Sequence, residues 1–120
     1  MTEMLEKDIE RYLRDEIKAL GGLCLKLVCP GFTGVPDRLI LLPGGVIAFA
    51  ELKRPGQRER QRQAFVQHRL RRMGFTVFGT VDSRAKANGV VSWCAERMFT
   101  SSGAGAPPSP EGEGKRGRRE

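Results

Sequence analysis

Leu5, Ile9, Leu13, Ile17 and Leu20 recur every three or four residues in an otherwise charged stretch, which predicts one amphipathic helix over residues 2–20, stopped by Gly21-Gly22. Glu6 and Glu10 fall in the apolar stripe, whereas Lys7, Asp8, Arg11, Arg14, Asp15 and Lys18 lie opposite it. A carboxylate on an inward face is costly unless it is paired, hydrogen-bonded or bound to a cation, although acids near a helix start also suit its dipole. Residues 23–28 then read as a strand with three leucines on one face, followed by a Pro/Gly loop through Pro36. Two apolar runs, 38–42 and 46–53, are joined by Pro43-Gly44-Gly45, a turn too short for anything but an antiparallel hairpin. Residues 57–73 form a strongly polar helix with a narrow apolar face of Ala64, Phe65 or Val66, and Leu70, capped by Gly74. A fourth strand is expected over 75–81, and Ser83 caps a last helix through about Met98 that Asn88-Gly89 interrupts or weakens. From Ser101 onward Ser, Gly, Ala, Pro and charges dominate, so residues 1–100 are expected to form one domain and 101–120 a disordered tail. This order of elements predicts an α/β fold with a central mixed β-sheet flanked by helices.

Composition adds a partner. The net charge is +7, of which the tail contributes only +1. Within residues 54–72, seven arginines face a single acid, Glu59. A patch of that density suits a polyanion such as nucleic acid, or else a solvated helix face. The three cysteines, Cys24, Cys29 and Cys94, lack the number for a disulfide framework and the spacing for structural zinc. Cys24 and Cys94 read as small core residues in a reducing cytoplasm. No apolar stretch approaches the length of a membrane span, so a cytoplasmic protein without membrane attachment is expected.

The candidate chemistry sits on the hairpin. Asp37 opens its first strand, and Glu51 and Lys53 end its second, on one face because side chains alternate along a strand. Two carboxylates that approach each other beside an amine suit metal-assisted hydrolysis of a phosphodiester. Asp37 and Glu51 would be direct ligands of Mg²⁺ or Mn²⁺, the backbone carbonyl of Leu52 a third oxygen, and Lys53 the group that orients water and stabilises developing charge. As a bare pattern Asp-x13-Glu-x-Lys is weak, and surface salt bridges at strand ends are the plain alternative. The tight turn between the strands and the basic helix directly after them strengthen the catalytic reading.

Taken together, Leu20-Gly21-Gly22, Lys26, Pro30-Gly31, Gly34-Val35-Pro36-Asp37-Arg38, Leu42-Pro43-Gly44-Gly45, Glu51-Leu52-Lys53, Pro55-Gly56, Gln63 and Leu70-Arg71-Arg72-Met73-Gly74-Phe75 resemble the virus-type replication-repair nuclease (VRR-NUC) domain of the PD-(D/E)XK superfamily. The resemblance spans residues 6–82 and implies a restriction-endonuclease-like core and a Mg²⁺- or Mn²⁺-dependent endonuclease. It implies Asp37, Glu51 and Lys53 as the catalytic core and Gln63 as a glutamine reaching back from the basic helix. Glu6 would be the acid of the first helix, with Glu10 as second choice, touching the ion through water. Only the spacing to Leu70 and Gly74 favours Gln63 over Gln57, Gln61 and Gln67. The charged run 57–62 departs from relatives, which leaves the helix start open. Arg38, Arg54, Arg58, Arg60, Arg62 and Lys26 are the expected DNA contacts, and His68 a surface or phosphate-facing side chain rather than a catalyst.

Stand-alone members of the family resemble junction-resolving enzymes, which implies a homodimer acting on branched DNA, a four-way junction or a flap, in a bacterial or phage-infected cell. The rival classes are a basic DNA-binding module that no longer cuts, and a restriction-type, flap- or RNA-cutting hydrolase on the same fold.

Overall fold

The computed structural model describes residues 6–104, with side chains through residue 98. Its elements are α1 (Glu6–Ala19), β1 (Leu23–Lys26), β2 (Arg38–Leu42), β3 (Val46–Leu52), α2 (Gln61–Arg72), β4 (Thr76–Val81) and α3 (Arg84–Ala104). The sheet order is β1-β2-β3-β4. β1, β2 and β3 are antiparallel neighbours, and β4 joins β3 in parallel after the α2 crossover, so the sheet is mixed as expected.

The core lies on one face of the sheet. Cys24, Ile40, Leu42, Ala48, Ala50 and Leu52 are buried there against Ile9, Leu13 and Ile17 of α1 and Ala87, Val90 and Cys94 of α3. Small Ala48, Ala50 and Cys24 on the strands let the two helices approach, and fully burying each larger aliphatic side chain contributes on the order of 1.5–3 kcal/mol. Tyr12 of α1 donates to Asn88 of α3 across the helix pair, and the Arg84 guanidinium lies 4.4 Å from the Tyr12 ring centroid. Burial pushes the Cys24 and Cys94 thiols up to about 11, so both stay protonated and inert at neutral pH.

The structure adds to or corrects several expectations. The three-leucine face of the first strand is not its core side: Leu23 is 55% exposed and Leu25 is exposed too, whereas Cys24 is buried. The basic helix starts at Gln61 rather than residue 57, because Pro55-Gly56 forms a turn in which Gln57 N–H donates to Arg54 O and Gly56 adopts φ +83. The Gln63 side chain then accepts the Arg60 N–H at 3.0 Å and satisfies one free donor of the first turn. The last helix is uninterrupted at Asn88-Gly89 and runs past Met98 to Ala104. The rest of the expected tail, and Leu5 of the first helix, lie outside the described residues.

Gly34 holds φ +94 in the loop before β2, and a Cβ there would lie 2.7 Å from Arg62 Cγ and 2.9 Å from Arg62 O. At Gly89 on α3, by contrast, a Cβ would meet nothing within 4 Å. Gly89→Ala is therefore expected to raise stability by about 0.5–1 kcal/mol, and Gly34→Ala to lower it by more than that. Thermal melts of the two variants check the pair of signs.

Candidate active site

Alternation along the strands decides which side chains meet. Ile40 and Leu42 on β2, and Ala48, Ala50 and Leu52 on β3, face the core, so Asp37, Glu51 and Lys53 project from the opposite face, the one α2 partly covers. Backbone pairing continues past both strand ends, with Leu27 N–H donating to Asp37 O at 2.9 Å and Lys53 N–H to Val81 O at 3.1 Å. The catalytic candidates are thus fixed by ladder hydrogen bonds rather than carried on free loops.

The two acids are cross-bonded. Asp37 N–H donates to Glu51 Oε1 at 3.1 Å, and Leu52 N–H donates to Asp37 Oδ1 at 3.1 Å, so each carboxylate is held by the other's strand. Lys53 Nζ lies 3.2 Å from Glu51 Oε2 and donates to Gln63 Oε1 at 2.9 Å. Gln63 Nε2 closes the ring by donating to Glu51 Oε2 at 2.9 Å. Glu51 and Lys53 are both buried. The structure therefore brings Asp37, Glu51, Lys53 and Gln63 into one network.

Burial raises the Asp37 carboxyl above its ordinary range, and the Glu6 charge adds to that. Burial raises Glu51 as well, and the neighbouring Asp37 charge pushes the same way. Two desolvated carboxylates side by side, with one lysine between them and the helix, leave negative charge that a cation would neutralise. Among the described residues no group of three or more His, Cys, Asp or Glu side chains is gathered around a metal position. The two carboxylates offer hard oxygens, which fit a divalent ion such as Mg²⁺ or Mn²⁺ that keeps much of its water.

The remaining expected residues divide. Glu10 is committed to Arg38, and Arg14 approaches it at 3.5 Å, whereas Glu6 acts on Asp37 through its charge. Arg38 corrects the expectation of a DNA contact: it is only 6% exposed, on the α1 side of the sheet, bonded to Glu10. One position along β2 from Asp37 inverts the face, which is why the two neighbours serve different environments. Arg54, Arg58 and Arg60 are exposed in the segment that follows Lys53, and Lys26 is exposed at the end of β1. Arg62 is exposed but also structural, since its Nε donates to Thr33 O at 3.0 Å. His68 is exposed on α2, as expected.

Sequence reasoning passed over Gln67. It is 2% exposed, and its Nε2 donates to Gly79 O at 3.3 Å, while Arg71 Nη2 donates to Val77 O at 2.9 Å. Between Phe78 and Val81, β4 carries one residue more than the facing stretch of β3 from Ala50 to Leu52, so this bulge lies beside Glu51. Gln67 fastens α2 to the bulge, and Arg71 fastens it to the strand just before the bulge. A signal existed: Gln67 is one helical turn beyond Gln63, and an isolated glycine in a strand marks a bulge.

No family model matches the chain. It is similar to the protein named "Putative nuclease p44" of Acyrthosiphon pisum secondary endosymbiont phage 1, with 43% identity over 77 residues that cover 64% of this chain and 83% of that protein. Among solved structures it is similar to a chain titled "VRR_NUC domain", with TM-score 0.67 and 34% identity, covering 72% of this chain and 94% of that one.

The raised carboxyls set a pH dependence. Between the ordinary and the raised values the folded chain binds more protons than the unfolded one, so metal-free protein loses stability as pH rises through that window, and the deficit is complete above it. Asp37→Asn retains an acceptor for Leu52 N–H but removes the charge. It is expected to melt a few degrees above wild type near pH 7, with the two melting points converging toward about pH 4. A variant that melts at or below wild type across this range would contradict the account.

Proposed function

The chain belongs to the VRR-NUC family of nuclease domains, and from that premise we propose that it is a Mg²⁺- or Mn²⁺-dependent endodeoxyribonuclease that hydrolyses phosphodiester bonds in branched DNA. The observation that carries this reading is the cross-bonding of Asp37 and Glu51 beside the Lys53 ammonium. When bound, a divalent ion supplies a Lewis acid for the phosphoryl oxygens and lowers the pKa of water. Asp37, Glu51 and the Leu52 carbonyl would hold it, with Glu6 reaching it through water.

The chain's own groups do the rest. Lys53, kept in place by Glu51 and Gln63, would orient the attacking water and stabilise the charge that builds on the phosphate. Gln63 would keep Lys53 and Glu51 in mutual register. Arg54, Arg58 and Arg60, next along the chain from Lys53, would take the DNA phosphates, with Lys26 at the sheet edge and the free end of Arg62 adding to them. A domain this small has little surface for reading bases, so phosphate positions and DNA shape would supply the selectivity.

The uncovered sheet face, with Leu23, Leu25, Ile47 and Phe75 exposed, supports a homodimer. A two-fold pair would present one active site to each of two opposing strands of a junction. A bacterial or phage-infected cytoplasm is the proposed setting. The phage origin of the similar protein supports it, and no described helix is long and apolar enough to cross a membrane.

Cleavage of a synthetic four-way junction, set against linear duplex and RNA, tests the reaction. Cutting is expected to require Mg²⁺ or Mn²⁺, to stop on chelation, and to fall by about 10²–10³-fold or more in Asp37→Ala and Lys53→Ala proteins that keep their melting transitions. Undiminished cutting by either variant would reject the site. For the dimer, sedimentation equilibrium should give a two-chain species that Ile47→Lys converts to a monomer. A wild-type monomer at tens of micromolar would remove the symmetric scheme.

A further inference from the structure

Two phenylalanines on the α2 side of the molecule have no role in the core. Phe65 on α2 is 52% exposed and Phe32, in the loop before β2, is 42% exposed. The Arg62 guanidinium lies between them, 5.1 Å from the Phe32 ring centroid and 5.4 Å from that of Phe65. Its bond to Thr33 O, and the close seat of Gly34 on Arg62 and Val66, lock the loop onto the helix. Beside the Phe32 ring opens a hollow of about 180 Å³ lined by Phe32, Val35, Val66, Arg69, Leu70 and Met73. It is an apolar slot with a positive rim.

The slot is close to the chemistry. Arg62 is next to Gln63, whose side chain contacts Glu51 and Lys53. Phe32 is five residues before Asp37, a reach of about 17 Å at full extension. A second copy of this chain is a poor occupant, since a self-contact here would set Arg58, Arg60, Arg62, Arg69 and Arg72 against their own images. A planar, apolar-faced group carried on a polyanion fits both the rings and the charge.

We propose that this slot receives one unstacked nucleobase of the DNA substrate, stacked on the Phe32 ring that lines it, with the exposed Phe65 ring on the far side of Arg62 adding apolar surface and Arg62 and Arg69 contacting the flanking phosphates. The inference rests on the proposed action on DNA and names the device that selects a branch. A base at a crossover leaves its stack at lower cost than one inside a duplex, so the slot favours branched over continuous DNA.

Binding tests this without turnover. Full-length Asp37→Asn protein is titrated with a four-way junction carrying 2-aminopurine beside the crossover, and with a linear duplex carrying it internally. Emission is expected to rise several-fold on the junction alone. Adding Phe32→Ala and Phe65→Ala should abolish the rise and weaken junction binding by about 5–150-fold, the loss of one base stack, with the salt dependence of binding unchanged. Both rings are exposed, and a retained melting transition verifies the fold. No rise on the junction, or a rise that survives loss of both rings, overturns the inference. If wild-type protein cuts no DNA yet the ring-dependent rise is seen, the nuclease reading falls and the base slot stands. If it cuts junctions and the rise is absent, the slot alone falls.

Discussion

The reciprocal hydrogen bonds between Asp37 and Glu51 are the constraint on which the site depends. Each carboxylate is held by a backbone N–H at the end of the other's strand, so the hairpin register and the spacing of the two acids are a single quantity. A one-residue slip of β2 against β3 would send one acid through the sheet into the apolar core. The register is in turn enforced by that core, because Ile40, Leu42, Ala48, Ala50 and Leu52 must all face α1 and α3 at once. Ordinary hydrophobic packing on one face therefore fixes the chemistry on the other.

Each face carries its own hydrogen-bonded ion pair, although Asp37 also feels the Arg38 and Glu6 charges. Arg38 and Glu10 pair on the α1 side, and Glu51, Lys53 and Gln63 pair on the α2 side. The segregation lets each buried ion find a partner without drawing on the other's. Behind the site, Gln67 holds the bulge in β4 and Arg71 the strand just before it, which gives α2 a second anchorage besides Gln63. The helix that carries the arginines is thus tied to the strands that carry the acids.

How much of this was legible in the sequence follows from the range of the forces involved. The hairpin, with its short Pro43-Gly44-Gly45 turn, and the first helix, with its regular apolar stripe, are local patterns and were readable, as was the pairing of Asp37 with Glu51 that follows from the turn. The exposure of Leu23 and Leu25 was not, because periodicity gives two faces of a strand but not which one meets helices. The burial of Arg38 needed only the alternation of faces that also places Glu51, yet its charge suggested a ligand surface. The start of α2 depends on a cap by Gln63, a residue three positions inside the helix. The seat of the Phe32 loop on α2 is a contact between distant segments, and no local signal encodes it.

Gln63 links helix winding to chemical competence. The same amide oxygen that caps the Arg60 N–H also accepts from Lys53, and its nitrogen restrains Glu51. Unwinding a single turn at the start of α2 would release all three contacts together, leaving the lysine and the glutamate without their guide. Under the proposed mechanism, a chain still emerging from the ribosome, or one breathing open at that turn, would therefore be disarmed, and DNA cutting would be confined to molecules in which α2 has wound.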